Sequence, residues 1–351
     1  IGGRRNIVIN GEMKVAQRAT SATGKTGGTS GYFALDRWKL QDGTIGTAGR
    51  CTIAQIADGP AGFANCLKIS ATTADTSIDA REALILQTRF EGQDLQQLKK
   101  GTASAEQVTV SFYVKGNAAA LYVCELHDVD NGRNNTQSFA VTTDWNRIEL
   151  TFAADTSDPL DDDNAVSLSL NFWLHSGSNY SGGTFASNTW ADITLANTTA
   201  VANRTSIYDS TNRTFFLTGV QMEIGSTATD FEHRSFGEEY DLCKRYYYQS
   251  YDLGVAAGTT SNAGAIMLYA ITGNTFRYNI YFSPSMRASP TMTFYNVEDG
   301  TAGEMNREGA GGTSPEALAV VFNSPKRAML YNTDIGIAGN YYFHYTASAE
   351  L

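Results

Sequence analysis

One segment in the middle of the chain constrains the fold most, because it joins a strand, a turn and a capped helix. Residues 215–224 (FFLTGVQMEI) alternate apolar and polar side chains and run into Gly225-Ser226, which predicts a β-strand closed by a turn. Residues 235–247 (SFGEEYDLCKRYY) follow shortly after. Ser235 and Glu238 have the spacing of a capping box, so a short helix is predicted after Ser235.

The rest of the chain favours many short strands joined by turns. It has 351 residues with 33 glycines, and its apolar runs are short. A hydrophobic fraction of 42% is enough for a sizeable core, and the length suggests two domains. Apart from the capped helix, helix is predicted only as a short turn near Asp94–Lys100. The predicted fold class is all-β.

The aromatic residues divide the chain into two parts. All four tryptophans lie before residue 246, whereas twelve of the 18 tyrosines lie from Tyr246 onward. Such a shift indicates two cores of different composition, with domains at 1–247 and 248–351. In the second part, aromatic and β-branched runs predict strands at 265–270, 276–282, 291–295, 317–322 and 341–345.

Three further segments, in this order, accompany the strand–turn–helix element. The chain opens with NIVINGEMKVAQR at 6–18 and continues, after a Gly/Thr/Ser loop, with DRW at 36–38. LQTRFEG at 86–92 then leads into VTVSFYVKG at 108–116. Together these segments resemble the carbohydrate-binding-module-like jelly-roll domains of bacteriophage tail fibres and other virion appendages. In that family the first segment is an opening strand, and the third forms paired strands of a sandwich.

The resemblance implies an antiparallel jelly-roll β-sandwich over residues 1–247, followed by a smaller aromatic-rich β-sandwich domain. It implies a non-enzymatic virion appendage protein, a tail fibre or decoration, that recognises host cell-surface polysaccharide. A homotrimer in contact with other virion proteins, made in the host cytoplasm and located in the virion, is expected. Two alternatives remain open: a purely structural assembly subunit, and a polysaccharide depolymerase. The chain begins at Ile1, and a short upstream piece is expected.

Aromatic side chains in polar surroundings are the candidate sugar contacts, since sugar rings stack on aromatic faces while polar groups bind the hydroxyls. Segment 176–189 is rich in Gly, Ser and Asn and is predicted to be a surface loop. The candidate ligand-binding residues in and beside it are Trp173, His175, Tyr180 and Trp190. Packing in the core is the competing interpretation for each aromatic. Trp38 and Trp145 are assigned to the core.

An acidic run at 155–164 (DTSDPLDDDN) is the candidate metal site. Asp158, Asp161 and Asp163 supply carboxylates at short spacing, which suits the oxygen-rich coordination of calcium. The run is not an EF-hand loop, and a solvated turn between strands is the alternative. Apart from this structural calcium, no cofactor is predicted.

The remaining chemistry points away from catalysis. Glu82, Glu91, Glu125 and Asp128 lie on or beside candidate strands, but no hydrolase signature surrounds them. The motif Gly-x-Ser-x-Gly is absent. The four cysteines show no zinc spacing and are expected to be buried free thiols.

Charge and hydropathy exclude two classes of partner. The formal net charge is −10, which disfavours nucleic acid as a partner. No apolar run reaches the roughly 18 residues of a spanning helix, so membrane insertion is not expected.

Overall fold

The computed structural model describes residues 4–43, 46–271, 276–308, 315–332 and 335–351. The chain divides into two compact units. The first consists of Ile1–Lys14, Ser21–Ser235 and Leu351; the second consists of Val15–Thr20 and Phe236–Glu350. Strands make up 42% of the chain and helices 7%, far below the helix share of about 30–35% in ordinary globular proteins. The all-β prediction is therefore confirmed.

The first unit contains twelve strands and one short helix among its described residues. The strands are β1 Ser21–Lys25, β2 Lys39–Asp42, β3 Arg50–Ile56, β4 Cys66–Thr73, β5 Ala83–Glu91, β6 Val108–Gly116, β7 Ala120–Asp128, β8 Arg133–Val141, β9 Asn146–Phe152, β10 Val166–Ser176, β11 Ala191–Asp192 and β12 Thr214–Ile224. Helix α1 spans Ser178–Ser181, and 3-10 turns occupy Gly92–Asp94, Gln96–Leu98 and Leu195–Asn197. The first two of these turns match the short turn predicted near Asp94–Lys100.

Two six-stranded antiparallel sheets form the jelly roll. Sheet 1 has the order β1-β3-β4-β12-β6-β9, and sheet 2 has the order β11-β8-β7-β10-β5-β2. The central eight strands pair as β4 with β12, β5 with β10, β6 with β9 and β7 with β8, all antiparallel. This nested pairing, with strands that alternate between sheets, is the jelly-roll topology. The predicted jelly-roll sandwich is confirmed.

Alternation along the strands separates the core from the outer faces. In β10, Leu168, Leu170 and Phe172 belong to the hydrophobic core between the sheets. Because successive side chains of a strand point to opposite faces, Ser169 and Asn171 point away from that core. Strands β5 and β7 follow the same pattern, so sheet 2 carries a row of inward apolar residues and a polar outer face.

The predicted opening strand at 6–18 is wrong, because the first strand begins at Ser21. Asn10 and Met13 have φ of 58° and 60°, and these left-handed conformations interrupt an extended ladder. The segment is held to β12 by backbone and side-chain hydrogen bonds. The Ile7 amide donates to the Met222 carbonyl (2.9 Å), and the Val220 amide donates to the Gly11 carbonyl (3.0 Å). Asn6 Nδ2 donates to the Val220 carbonyl (3.2 Å), and Asn6 Oδ1 accepts from the Met222 amide (3.1 Å).

The second unit contains one α-helix and nine strands among its described residues. These are α2 Phe236–Lys244, β13 Tyr247–Gln249, β14 Ile266–Ala270, β15 Phe276–Tyr281, β16 Thr291–Asn296, β17 Glu304–Arg307, β18 Pro315–Ala317, β19 Ala319–Ser324, β20 Arg327–Asn332 and β21 Gly339–Ser348. The helix begins directly after Ser235, as predicted. The predicted strand at 317–322 is interrupted at Leu318, and β17 and β20 are strands that the sequence interpretation missed.

Long strand β21 organises the second unit. It pairs with β13, β14, β16 and β17 to form sheet 3, which β18 extends, while β15, β20 and β19 form sheet 4. One hydrophobic cluster contains Phe343 of sheet 3 and Leu330 of sheet 4, so the two sheets pack face to face. The smaller, aromatic-rich β domain predicted for the second part is therefore present.

All four cysteines are buried and free, as expected. On the β3–β4 pair, Cys51 lies opposite Ala71 and Cys66 opposite Ile56, at opposite ends of the ladder. Burial raises the pKa of the Cys51 thiol to about 11, so the thiol stays protonated near neutral pH.

Candidate functional site

The outer face of sheet 2 contains a groove with a cavity volume of about 280 Å³. Four adjacent strands form its floor, and the segment that includes Leu195 and Thr198 forms one wall. The lining residues are Gln41, Ile85, Gln87, Arg89, Glu125, His127, Val129, Val166, Ser169, Asn171, Trp173, Ile193, Leu195 and Thr198.

Strand register arranges the floor of this groove in three rows that cross β5, β10 and β7. Register places Arg89, Ser169 and His127 in the first row. Gln87, Asn171 and Glu125 form the second row. Ile85, Trp173 and Val123 form the third. Neighbouring strands lie about 4.8 Å apart, so side chains in one row are close neighbours. The side chains that form the floor are therefore charged or small at one end of the groove and aromatic or apolar at the other.

A buried carboxylate lies at the centre of the floor. Glu125 is 3% exposed and accepts three hydrogen bonds. Its Oε1 accepts from Asn134 Nδ2 (2.7 Å), and its Oε2 accepts from Asn171 Nδ2 (2.9 Å) and Trp173 Nε1 (2.7 Å). A buried charge is costly unless it is hydrogen-bonded, so this network fixes three side chains in the floor of the groove.

Two polar groups of the floor retain capacity for a ligand. Asn171 is 3% exposed, and its Oδ1 has no hydrogen-bond partner among the described residues. A buried acceptor without a partner is costly, and a donor from a bound molecule would satisfy it. Beside it, Arg89 Nε donates to Gln87 Oε1 (2.6 Å), which orients the guanidinium over the floor.

Trp173 and Tyr180, two of the predicted ligand-binding residues, lie together at the apolar end. Their rings are 5.2 Å apart between centroids, and they form a small cluster with Ala83, Ile85 and Val123. Trp173 is 7% exposed and lines the groove, whereas Tyr180, 8% exposed, is not among the lining residues. Trp173 thus lines the groove, and Tyr180 packs against its ring.

The structure places His175 away from the groove. Its side chain is fully buried, its Nδ1 lies 2.7 Å from Ser206 Oγ, and its Nε2 lies 3.4 Å from Glu82 Oε2. Burial lowers the pKa of His175 to about 4, while burial, followed by the Asp75 charge, raises the pKa of Glu82. His175 is therefore neutral near pH 7, with both ring nitrogens engaged inside the protein.

Trp190 does not join the cluster that contains Trp173 and Tyr180. Its Nε1 donates to the Ala153 carbonyl (2.7 Å), and its partly buried ring packs against the main core. The Lys100 ammonium lies 5.6 Å from the centroid of this ring. The predicted surface loop at 176–189 is present in part. Residues 181–189 are half-buried or exposed, whereas Ser176 ends β10, Ser178–Ser181 form α1, and Ser176, Gly177 and Tyr180 are buried.

The acidic run lies beside a cation that the chain itself supplies. Lys100 Nζ lies 2.6 Å from Asp128 Oδ2 and 3.1 Å from Asp155 Oδ2, and it donates to the carbonyls of Ser157 and Asp158. Asp155 also pairs with Arg133, and its pKa is lowered although burial opposes this.

The three predicted calcium ligands, Asp158, Asp161 and Asp163, are exposed. Within the described part of the chain, no three or more His, Cys, Asp or Glu side chains are grouped closely enough to hold a metal ion. Calcium binding by these aspartates stays a prediction.

The assignment of Trp38 to the core is confirmed, since its side chain is fully buried. The assignment of Trp145 to the core is wrong. Trp145 is half-buried beside the half-buried Phe216, and Lys115 Nζ lies 5.0 Å from its ring centroid. Phe216 lies between the inward-facing Phe215 and Leu217, so this cluster is on the outer face of sheet 1.

Sequence reasoning missed most of the groove floor. Gln87, Arg89, His127, Ser169 and Asn171 are polar residues at alternate positions of strands whose other positions are apolar. That alternation was the signal that could have identified these residues. The sequence of a single strand does not show which strands are its neighbours in the sheet.

Comparisons with known proteins give distant structural matches alone. No family model and no curated protein matches the chain. A family 11 carbohydrate-binding module of a cellulosomal cellulase of Clostridium thermocellum matches at 13% identity and a TM-score of 0.30, covering 59% of this chain and 99% of that one. A protein of Bacteroides thetaiotaomicron, provisionally assigned as sugar-binding, matches at 12% identity and a TM-score of 0.32, covering 63% of this chain and 100% of that one.

A third solved structure comes from a phage. The enzymatically active domain of tailspike protein 4 of bacteriophage CBA120 matches at 12% identity and a TM-score of 0.27, covering 54% of this chain and 19% of that one. At TM-scores this low, none of these likenesses carries an argument about function. No helix among the described residues is long and apolar enough to span a membrane.

Proposed function

We propose that this chain is a non-enzymatic bacteriophage virion appendage protein, a tail fibre or decoration, whose first unit binds a host surface glycan in the groove of sheet 2. The observation that carries the binding site is the Asn171–Glu125–Trp173 network with its unpartnered Asn171 Oδ1. The virion setting rests on the sequence resemblance described above.

The groove supplies both kinds of contact that a sugar needs. Trp173 and Ile85 offer apolar surface, while Gln87, Arg89 and Asn171 offer donors and acceptors for hydroxyl groups. These side chains project from adjacent strands, and four of them are held by hydrogen bonds, so little conformational entropy is lost on binding. The cavity volume of about 280 Å³ is close to the lower end of the range of about 300–1,000 Å³ for small-ligand sites, which suits a short stretch of an open-ended glycan.

The carboxylates support binding without hydrolysis. A glycosidase commonly needs two carboxyl groups about 5–10 Å apart across the bond. Among the described residues that line the groove, Glu125 is the one carboxylate. Both of its oxygens already accept hydrogen bonds, so it is poorly placed to act as a base or nucleophile. A reducing-sugar assay with bound glycans should therefore show no release of product.

The alternative of a purely structural assembly subunit is supported by the second unit. Several large apolar side chains there are at least 45% exposed, which is unusual unless a partner covers them. They are Phe236 45%, Leu253 46%, Met267 55%, Tyr269 66%, Ile271 56%, Tyr281 69%, Phe322 65% and Ile337 47%. Assembly through this unit is compatible with glycan binding by the first.

A groove-filling substitution tests the proposal whichever glycan the chain binds. Ser169 is a small residue in the floor, and Ser169→Tyr would occupy the space of a sugar ring. The matched control is Thr52→Tyr on β3 of sheet 1. On an array of bacterial surface polysaccharides, the parent chain and the control should bind the same glycans and Ser169→Tyr should lose them. Equal binding by Ser169→Tyr would show that the groove is not the site.

A further inference from the structure

We infer that the groove selects an acidic glycan, and that an anionic group of one sugar lies over Ser169 between Arg89 and His127. This inference rests on the proposed glycan-binding function and adds the class of saccharide. It depends on the register of three strands, because Ser169 of β10 lies directly opposite both Arg89 of β5 and His127 of β7.

The geometry of this row forms a recess with a nitrogen donor on each side. Adjacent strands are about 4.8 Å apart, so the backbones that carry Arg89 and His127 are roughly 10 Å apart. The short side chain of Ser169 lies between them and leaves room for a carboxylate or phosphate. The Ser169 hydroxyl, the guanidinium and the imidazole are all hydrogen-bond donors, so an anionic oxygen could be contacted from three sides.

The guanidinium of Arg89 is held in place but not neutralised. Within the described residues, its side chain makes one hydrogen bond, from Nε to Gln87 Oε1, and no ion pair. The two terminal nitrogens are therefore available as a planar fork, which matches a carboxylate or phosphate in a bidentate pair. Arg89 is half-buried, so the contact would be partly shielded from solvent.

The imidazole of His127 is also available. It is half-buried and lines the groove, and no hydrogen bond or ion pair engages it in the described part of the chain. Its nitrogens contrast with those of His175, both of which lie near polar groups of the protein.

The neighbouring negative charge of Glu125 does not prevent an anionic group from binding between Arg89 and His127. Glu125 lies one row away, on β7, and is 3% exposed. Three donors from Asn134, Asn171 and Trp173 already surround its oxygens. A ligand that enters the groove therefore meets an unpaired cation and a carboxylate whose two oxygens already accept three hydrogen bonds. An unpaired cation in a groove is unusual in a chain whose formal net charge is −10.

Paired glycans test the charge preference directly. The probes are oligogalacturonates, sialylated oligosaccharides and sulfated oligosaccharides, each beside its neutral counterpart: the methyl ester, the asialo form and the unsulfated form. The intact chain is titrated with each at low and moderate salt. Binding of one or more acidic probes, with a dissociation constant about ten- to a hundredfold lower than that of the neutral counterpart, is expected from one charged hydrogen-bonded contact. Which acidic probe binds identifies the anionic group.

Substitutions test whether Arg89 and His127 cause the preference for acidic glycans. Arg89→Met should remove the difference between the acidic and neutral members of a pair, Arg89→Lys should keep part of it, and His127→Ala should reduce it. Arg147→Met, on β9 of sheet 1, removes the same charge from the other sheet and should bind like the parent. Thermal melting of each variant shows whether the fold is retained.

The outcomes separate this inference from the function on which it rests. Binding of neutral and acidic members with equal affinity, unchanged by Arg89→Met but abolished by Ser169→Tyr, overturns the acidic preference and leaves glycan binding intact. Failure of the parent chain to bind any glycan on the polysaccharide array overturns both.

Discussion

The indole N–H of Trp173 donates to Glu125 Oε2 at 2.7 Å, and this bond joins the apolar end of the groove to its polar centre. Trp173 thereby has two roles: its ring packs against Tyr180, and its nitrogen partly satisfies a buried carboxylate. Trp173 is therefore both a packed, structural side chain and a candidate ligand contact.

Replacing Trp173 with Phe should separate these two roles. The variant keeps most of the ring packing but removes a hydrogen bond to a charged group, so we expect a loss of roughly 1.5–3 kcal/mol in unfolding free energy. Glycan binding should weaken at the same time, because Glu125 loses a donor. Denaturant unfolding and binding titration measure the two effects. Trp173→Ala should cost more stability, about 3–5 kcal/mol, as it also leaves a cavity. Unchanged stability in Trp173→Phe would contradict the role assigned to this bond.

Replacing Lys100 with Met should strongly destabilise the first unit. Lys100 and Asp128 are 6% and 0% exposed, and removal of the ammonium leaves the buried Asp128 without this cation and Asp155 with Arg133 alone. Breaking a buried pair in this way typically costs about 3–5 kcal/mol. The matched control is the adjacent Lys99→Met, whose exposed pair with Glu106 should contribute about 0–1 kcal/mol. Similar melting temperatures for the two variants would contradict a structural role of Lys100.

Stability should fall as the pH is lowered through the range of His175. The folded protein keeps this histidine neutral, with a pKa of about 4, whereas the unfolded chain binds a proton near pH 6.5. Between these values the unfolded state binds more protons, so acid favours unfolding by an amount on the order of 3 kcal/mol.

Unfolding free energies at pH 7, 6, 5 and 4 for the parent and for His175→Gln isolate this contribution. Glu82, whose raised pKa acts in the opposite direction, is present in both proteins. The parent should lose more stability towards pH 4 than the variant. Parallel pH profiles would show that His175 does not titrate in this way.

The second unit should mediate a homotrimer. Met267, Tyr269 and Ile271 follow one another at alternate positions on and just after β14, and β14 pairs with β21 alone among the described strands. Light scattering at micromolar concentration should give a mass about three times the 37.9 kDa of the chain. Tyr269→Glu should shift the mass towards one chain, because it places a charge in an apolar contact.

The matched control for the trimer is Ile78→Glu, an exposed apolar position of the first unit. That variant should keep the mass of the parent. A parent chain that scatters as a single 37.9 kDa species would contradict the homotrimer.

Local patterns along the chain were enough to predict several of its strands and its helix. The alternation of residues 215–224 specified β12, and the aromatic runs of the second part specified β14, β15, β16 and β21. The capping-box spacing after Ser235 located the helix. Each of these signals acts over a few residues, through side-chain alternation or capping, and so each can be recognised before the fold is known.

The groove, in contrast, is formed by long-range strand pairing. Arg89, Glu125 and Ser169 come from strands that are distant in sequence, and the jelly-roll pairing of β5, β10 and β7 brings them into one groove. Burial likewise separated Trp173, which lines the groove, from His175 two residues later. Sheet order and burial depend on how the whole chain packs, so no local pattern could specify them.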